Sequence, residues 1–338
     1  MINLNLIWFL LVGILITGYA ILDGFDLGTG MIHLFTKDEK EKRVNLNAIG
    51  PVWDGNEVWL LTGGGALFAA FPIVYATVFS GFYLAFVLLL VALIFRAVSF
   101  EFRKYAEPAQ KKYWDFAFGV GSLIPALLYG VAIGNVLRGL PIDAKGFYEG
   151  NFFGLLNPYS IVVGLLSLTM FLMHGAIYLS LKSEGTQKQR MTSLANKTWI
   201  AFVVLYAAAT FYTIFTSPYL FENSLQNPLF WILIILLFAS VISIPIFLNA
   251  NKIGYAFTGS ALTITSMILL TALSLFPKLV PSIINPDYSL TIYNASSTPR
   301  TLETMLIIAL IGMPIVIAYT IIVYRTFKGK VILNEDSY

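Results

Sequence analysis

The chain of 338 residues contains no cysteine and only two histidines. Disulfides, thiolate-ligated metals and thiol redox chemistry are therefore excluded. Charged residues make up only 12% of the chain, and the small net charge of +3 leaves no basic stripe for nucleic acid. The sequence holds no hydrolytic triad, no glycine-rich nucleotide loop and no metal-spaced set of ligands. We predict no catalytic, cofactor-binding or metal site within this chain.

Long apolar runs dominate what is present, and hydrophobic residues make up 58% of the chain. About 20 consecutive apolar residues span a bilayer as a helix. The runs are continuous and do not alternate with polar residues, which favours helices over a barrel. We predict an all-α, multi-pass membrane protein in a lipid bilayer, with about nine transmembrane helices. The predicted spans are residues 4–34, 50–72, 74–103, 113–137, 158–181, 197–217, 228–250, 253–276 and 302–326.

The lysines and arginines predict the orientation of these spans. When alternate loops are assigned to opposite sides, one side holds 17 of the 21 basic residues and the other holds 4. Basic residues are enriched in cytoplasmic loops. We therefore expect the N-terminus outside and the C-terminus in the cytoplasm.

A weak internal repeat predicts the domain organisation. Asp23 follows Gly13 by ten positions, His174 follows Gly164 by ten positions, and each is followed by a glycine. Both segments lead into a basic loop, so the two halves have the same predicted orientation. We expect two four-helix bundles in a pseudo-repeat and one peripheral helix. The predicted units are residues 1–140 with the acidic cluster, residues 141–280, and residues 281–338 with an external surface loop, the ninth helix and a cytoplasmic tail.

Ionisable residues concentrate in the first predicted unit. A charge at the centre of a bilayer costs about 2.5–3.5 kcal/mol on insertion scales, so such residues usually serve a pathway or a partner. Two interpretations stay open, a proton pathway and a structural ion pair around the one intramembrane arginine, and the surplus of acids favours the pathway. The predicted proton-pathway residues are Asp23, Asp26, Asp54, Glu57 and Glu101, with Arg96 as their charge partner.

Glycine and histidine carry two smaller predictions. The spacing of Gly24 and Gly28 is typical of helices that pack closely. Either His33 or His174 could ligate haem, because imidazole is a common axial donor. Their different predicted depths argue against a bis-histidine pair, and we expect each to be hydrogen-bonded within the helix packing.

Four short segments within the first 103 residues form a specific pattern. They are DGFDLG at 23–28, WDGNEVWL at 53–60, GGGALFAAFP at 63–72, and FEFR at 100–103 following Arg96. This pattern resembles subunit II of the cytochrome bd-type quinol oxidases. Beyond residue 103 the resemblance rests on length, span count and topology.

The resemblance implies a partner. In this family, subunit I carries a low-spin haem b, a high-spin haem b, haem d and the quinol site, and subunit II packs against it as a haem-free, pseudo-symmetric mate. A small single-helix accessory subunit often joins them. The complex lies in the cell membrane of bacteria or archaea, oxidises quinol and reduces dioxygen, taking protons from the cytoplasm without pumping. Relatives with only haem b share this motif, so the type of haem in the partner stays open.

The resemblance also implies roles for single residues. Asp54 matches an acid assigned to proton delivery in this family, and Asp23 and Asp26 are further candidates for that route. Trp59 resembles a residue near an apolar oxygen channel. Glu57 replaces a neutral amide that some relatives carry.

One alternative function follows from the predicted repeat. Duplicated helix bundles with intramembrane polar groups also suit a cation-coupled secondary transporter. Two features argue against it: the acids lie near one face of the membrane, and no pair of broken helices is apparent in the sequence.

Overall fold

A computed structural model describes residues 3–222, 224–333 and 337, and most of them are helical. Two short strands, β1 (Lys278–Val280) and β2 (Leu290–Thr291), pair antiparallel. The helices are α1 (Leu4–Phe35), α2 (Glu39–Ile49), α3 (Trp53–Ala70), α4 (Pro72–Gly81), α5 (Tyr83–Tyr105), α6 (Lys111–Arg138), α7 (Phe152–Leu155), α8 (Pro158–Lys182), α9 (Gly185–Thr216), α10 (Tyr219–Glu222), α11 (Pro228–Asn249), α12 (Ile253–Leu275) and α13 (Pro299–Thr326).

The helices confirm the prediction of an all-α membrane protein. In the part of the chain that the structure describes, eight helices are long and apolar enough to cross a membrane. They are α1, α5, α6, α8, α9, α11, α12 and α13. The pair α3 and α4 passes the same test together and is bent by 120°, which allows up to nine spans.

One predicted span is divided in the structure. The sequence predicted a single span over residues 74–103, but α4 and α5 are separate helices. The break between α3 and α4 lies where the predicted spans 50–72 and 74–103 meet. Pro72 is the first residue of α4. Because proline has no N–H and restricts the residue before it, α3 cannot continue through Phe71 and Pro72.

Helix α2 lies in a segment that the sequence suggested to be a basic loop. Its cap is local: the side chain of Asp38 accepts a hydrogen bond from the backbone N–H of Glu41, at 2.9 Å. Glu39 and Glu41 lie in the first turn, where the helix dipole favours negative charge. The helix is polar on average, so a search for apolar runs does not detect it.

The segment 278–300 is more ordered than the predicted surface loop. The Leu140 N–H donates to the carbonyl of Pro281 at 2.9 Å, and the Ile283 N–H donates back to the carbonyl of Leu140 at 3.0 Å. Val280, Leu290 and Ile292 are buried in a cluster that also contains Trp8 and Phe71. The segment therefore forms a packed cap over this end of the helices.

Helix α1 lies at the centre of the packing, in contact with α3, α6, α8 and α12. It meets α8 at two glycines, where a Cβ on Gly175 would lie 2.6 Å from the Cα of Gly28. A Cβ on Gly24 would lie 2.8 Å from the ring of Phe171. The predicted close packing at Gly24 and Gly28 is confirmed. In contrast α13 contacts α1 and α3 and buries only Leu302 among its described residues, and the pseudo-repeat stays a prediction.

Replacing Gly175 with alanine is expected to destabilise the protein by about 1–3 kcal/mol, the usual cost of overpacking a tight site. The new methyl group would meet the backbone of Gly28, which cannot rotate away. Gly13→Ala is the matched control, because nothing lies within 4 Å of a Cβ at that position. Thermal unfolding of the purified protein measures both variants, and equal midpoints would contradict the packing described here.

Candidate functional site

Arg96 on α5 is the centre of a buried ion cluster. Its Nη2 donates to Oδ1 of Asp23 at 2.7 Å, and its Nη1 donates to Oδ2 of the same carboxylate at 3.1 Å. Nη1 also donates to Oε1 of Glu57 at 2.8 Å. Two-pronged pairs of this kind are the strong form of the arginine–carboxylate bond. The cluster therefore connects α1, α3 and α5 near the N-terminal end of α3.

Asp26 lies one turn from Asp23 but does not pair with Arg96. Its Oδ2 accepts a hydrogen bond from Nδ2 of Asn56 at 2.8 Å. Oδ1 is buried and has no hydrogen-bond partner among the described residues. Asn56 in turn accepts from the hydroxyl of Tyr324 at 3.0 Å. Asp26 is thus a fully buried carboxyl group held by a neutral amide.

Exposure falls stepwise along the acids of α3 and α1. Asp54 is exposed in the first turn of α3 and accepts no hydrogen bond from the described residues. Glu57, one turn further along, has a side chain that is 22% exposed, whereas that of Asp23 is 0% exposed. The three carboxyl groups therefore lead from the surface of the chain to the buried Arg96.

Two predicted site residues lie apart from this cluster. Glu101 is exposed on α5, five residues after Arg96, which turns its side chain about 140° around the helix at 3.6 residues per turn. Trp59 packs its ring against Gly18, where a Cβ would overlap the ring, so it fills space between α1 and α3. The roles of Glu101 in proton transfer and of Trp59 in an oxygen channel stay predictions.

A second polar network lies where α1, α2, α5 and α6 meet. Asp115 accepts from Nε2 of His33 at 2.6 Å, from Nζ of Lys42 at 2.6 Å, and from Nε of Arg103. Arg103 also donates to both carboxylate oxygens of Glu39, at 2.9 and 3.0 Å. Asp115 therefore accepts hydrogen bonds from three other helices, an arrangement typical of a residue that holds helices in place.

The two histidines differ in how their ring nitrogens are occupied. The two ring nitrogens of His174 are both engaged, at 2.6 Å from Oγ of Ser260 and 3.0 Å from the carbonyl of Ile21. His33 uses Nε2 for Asp115, and its ring packs edge-on against Phe118 with centroids 5.2 Å apart. Nδ1 of His33 is buried and has no hydrogen-bond partner among the described residues. Among residues 3–222, 224–333 and 337, no group of three or more histidines and acids could hold a metal ion. Both histidines lie in hydrogen-bonded helix packing, as the sequence suggested.

The family of the chain follows from comparison with known proteins. A sequence model of the family described as cytochrome bd terminal oxidase subunit II matches residues 4–327. The chain belongs to this family. It is therefore one subunit of a bd oxidase complex, which implies a partner subunit I, and the transporter alternative is not favoured.

Relatives from three bacteria match the subunit II chain over nearly its whole length. A cytochrome bd ubiquinol oxidase subunit 2 of Bacillus subtilis is 38% identical, covering 99% of both chains. The cytochrome bd-I ubiquinol oxidase subunit 2 of Escherichia coli is 36% identical, covering 98% of this chain and 96% of the relative. A probable cytochrome oxidase subunit 2 of Haemophilus influenzae is 38% identical with the same coverage.

A solved structure shares the fold of this subunit II chain. A chain of the bd oxidase from Geobacillus thermodenitrificans superposes with a TM-score of 0.78 at 19% identity. The match covers 96% of this chain and 99% of that chain.

Sequence reasoning missed Asn56, Tyr324 and Asp115. Asn56 is neutral and Tyr324 is more than 260 residues away in sequence, so neither carries a charge signal that would associate it with Asp26. Asp115 lies in the second turn of α6, shortly after Lys111 and Lys112, and its sequence context is that of an ordinary surface acid. The only signal in the sequence was their depth. Each lies near the predicted cytoplasmic end of its helix, at the same level as the acidic cluster.

Proposed function

We propose that this chain is the haem-free second subunit of a quinol:oxygen oxidoreductase in an aerobic respiratory chain. It supports a haem-bearing subunit I in the cell membrane of a bacterium or archaeon and supplies protons to it from the cytoplasm. The names of the relatives, ubiquinol oxidase subunits, support quinol as the substrate of the complex. The low-spin haem b, high-spin haem b and haem d belong to the partner in this proposal, which forms a pseudo-symmetric heterodimer with this chain and takes a small accessory helix.

The carboxyl groups around Arg96 carry the proposal. If these acids served only as an ion pair, Asp23 alone would balance the single charge of the guanidinium, and no further acid would be needed. Asp26 is nevertheless fully buried beside them with one oxygen lacking a partner. A buried ionisable group in a membrane protein that is not used for pairing is a functional candidate.

Asp54, the most exposed acid of the series that leads to Arg96, also supports the proposal. It is exposed in the first turn of α3, a helix that continues into a long apolar run after Glu57. A carboxylate facing lipid is costly, so this face of α3 needs water or a partner protein over it. We assign Asp54 to the cytoplasmic entrance of the proton route, followed by Glu57 and Asp23.

Replacing Asp54 with asparagine is expected to lower oxidase turnover by about tenfold, because an amide cannot exchange a proton at this position. The haem content of the purified complex should stay unchanged, since Asp54 holds no structural contact in the described part of the chain. Oxygen consumption per haem measures the effect.

Asp287→Asn is the matched control, an exposed acid in the 278–300 cap. It is expected to leave turnover unchanged. Full turnover of the Asp54→Asn complex with full haem content would remove Asp54 from the route and leave only the assembly role.

A further inference from the structure

A cavity of about 390 Å³ opens beside Tyr324, on the end of the molecule where α2 meets α3. Asn47 and Val52 line one side, and Tyr178 and Lys182 of α8 line another. Residues 327–332 and 337, after α13, line the remaining side. Nζ of Lys182 donates to the carbonyl of Phe327 at 2.7 Å, and the N–H of Val331 donates to the carbonyl of Lys182 at 2.9 Å. By the predicted orientation, this cavity faces the cytoplasm.

Tyr324 connects the cavity wall to Asp26. The side-chain amide of Asn56 donates to the carbonyl of Leu22 at 3.2 Å, and this carbonyl can only accept. That contact fixes Nδ2 of Asn56 toward Leu22 and Asp26, so Oδ1 faces Tyr324 and the tyrosine hydroxyl must donate to it. The Tyr324 ring is also held edge-on against Phe25, with centroids 6.5 Å apart.

This chain of hydrogen bonds orients Asp26 but does not conduct protons. An amide accepts at oxygen and donates at nitrogen, so Asn56 cannot pass a proton on without changing its tautomer. Its donation to Oδ2 instead sets the carboxyl plane and leaves Oδ1 of Asp26 as the atom without a protein partner. Water is the remaining carrier, and the cavity has the volume and the polar groups to hold several molecules.

We propose that Tyr324 is a positioning residue for Asp26 and that the cavity beside it is the water-filled antechamber from which Asp26 takes up protons. The proposal rests on the proposed function of the chain in proton supply, and it adds an entry through Asp26 to the one at Asp54. It gives the peripheral helix α13 a function, because Tyr324 is the residue through which α13 reaches the buried acids. Loss of the hydroxyl leaves Oδ1 of Asn56 without its donor, so the amide is held from one side only and Asp26 is less firmly oriented.

Tyr324→Phe in the intact complex tests the positioning role. Turnover per haem is expected to fall about threefold, the loss that one net hydrogen bond supports. The KM for quinol and the haem content should not change. In infrared difference spectra, the carboxyl band that disappears in Asp26→Asn should shift in Tyr324→Phe.

Tyr319→Phe is the matched control, on the same helix and exposed, with no hydrogen bond from its hydroxyl among the described residues. It should leave turnover and the carboxyl band unchanged. If Tyr324→Phe behaves like this control, or lowers turnover while the band stays in place, the positioning role is overturned. If Asp26→Asn is itself fully active, the proton route fails, which is a separate outcome.

The absence of cysteine allows a direct test of the antechamber. Asn47→Cys places a single thiol in the cavity wall, and Lys112→Cys places one on the exposed start of α6. Both are expected to react with a membrane-impermeant thiosulfonate from the cytoplasmic side, detected as a mass shift on peptides of this chain. Reaction at Lys112→Cys without reaction at Asn47→Cys would show that the cavity is closed to water and overturn that part of the proposal.

Discussion

Replacing Arg96 with glutamine is expected to destabilise the protein by about 3–5 kcal/mol, the cost of leaving a buried charge without its partner. Asp23 is 0% exposed and receives both of its charged hydrogen bonds from Arg96. Glutamine is too short to reach both acids, so Asp23 and Glu57 would be left close together and unneutralised. A loss of this size is a large part of the stability of a typical folded domain.

Thermal unfolding and the yield of assembled complex measure the Arg96→Gln effect. Arg300→Gln is the matched control, because Arg300 is exposed at the start of α13. Arg96→Lys should fall between them, since lysine keeps the charge but not the two-pronged contact. Adding Asp23→Asn to Arg96→Gln should restore part of the loss. If Arg96→Gln unfolds at the same temperature as Arg300→Gln, the buried pair does not hold these helices.

Asp26→Asn is expected to lower turnover by about a hundredfold, the lower end of what a positioned proton donor or acceptor contributes. The structure explains why this variant separates proton transfer from folding. An asparagine at this position can present its oxygen to Nδ2 of Asn56 and keep the 2.8 Å hydrogen bond. What it loses is the ability to bind and release a proton.

Asp23→Asn is the informative comparison for Asp26→Asn. It removes one charged oxygen from the pair with Arg96, so we expect a loss of stability and haem content together with activity. Oxygen consumption and haem absorbance, measured on the same preparations, distinguish the two patterns. An Asp26→Asn complex that loses haem in proportion to activity would assign Asp26 to structure alone.

Much of the fold could be predicted because a bilayer imposes simple rules. Continuous apolar runs of span length identified α1, α6, α8, α11, α12 and α13 to within three residues at both ends. Three features were missed. The predicted span 74–103 is divided between α4 and α5, and Asp38 caps a polar helix that hydropathy cannot detect. The helix from Gly185 extends the predicted span 197–217 by more than three turns beyond the apolar run.

The candidate site was less predictable from sequence. Charges in apolar segments pointed to Asp23, Glu57 and Arg96, and the structure places these three in one cluster. The same signal included Glu101, which lies on an exposed face of α5. Asn56 and Tyr324 carried no such signal, because a neutral hydrogen-bond partner becomes recognisable only when the packing brings it to an acid.

Proton uptake by the intact oxidase in liposomes tests most directly whether protons reach the oxygen chemistry through this chain. A pH indicator on each side of the membrane would follow uptake while oxygen consumption is recorded. We expect protons to disappear from the side that carries the 17 basic residues. In each of the variants Asp54→Asn and Asp26→Asn, proton uptake should slow by the same factor as turnover does in that variant, at full haem content. Wild-type rates of uptake in both variants, or uptake from the opposite side, would contradict the account.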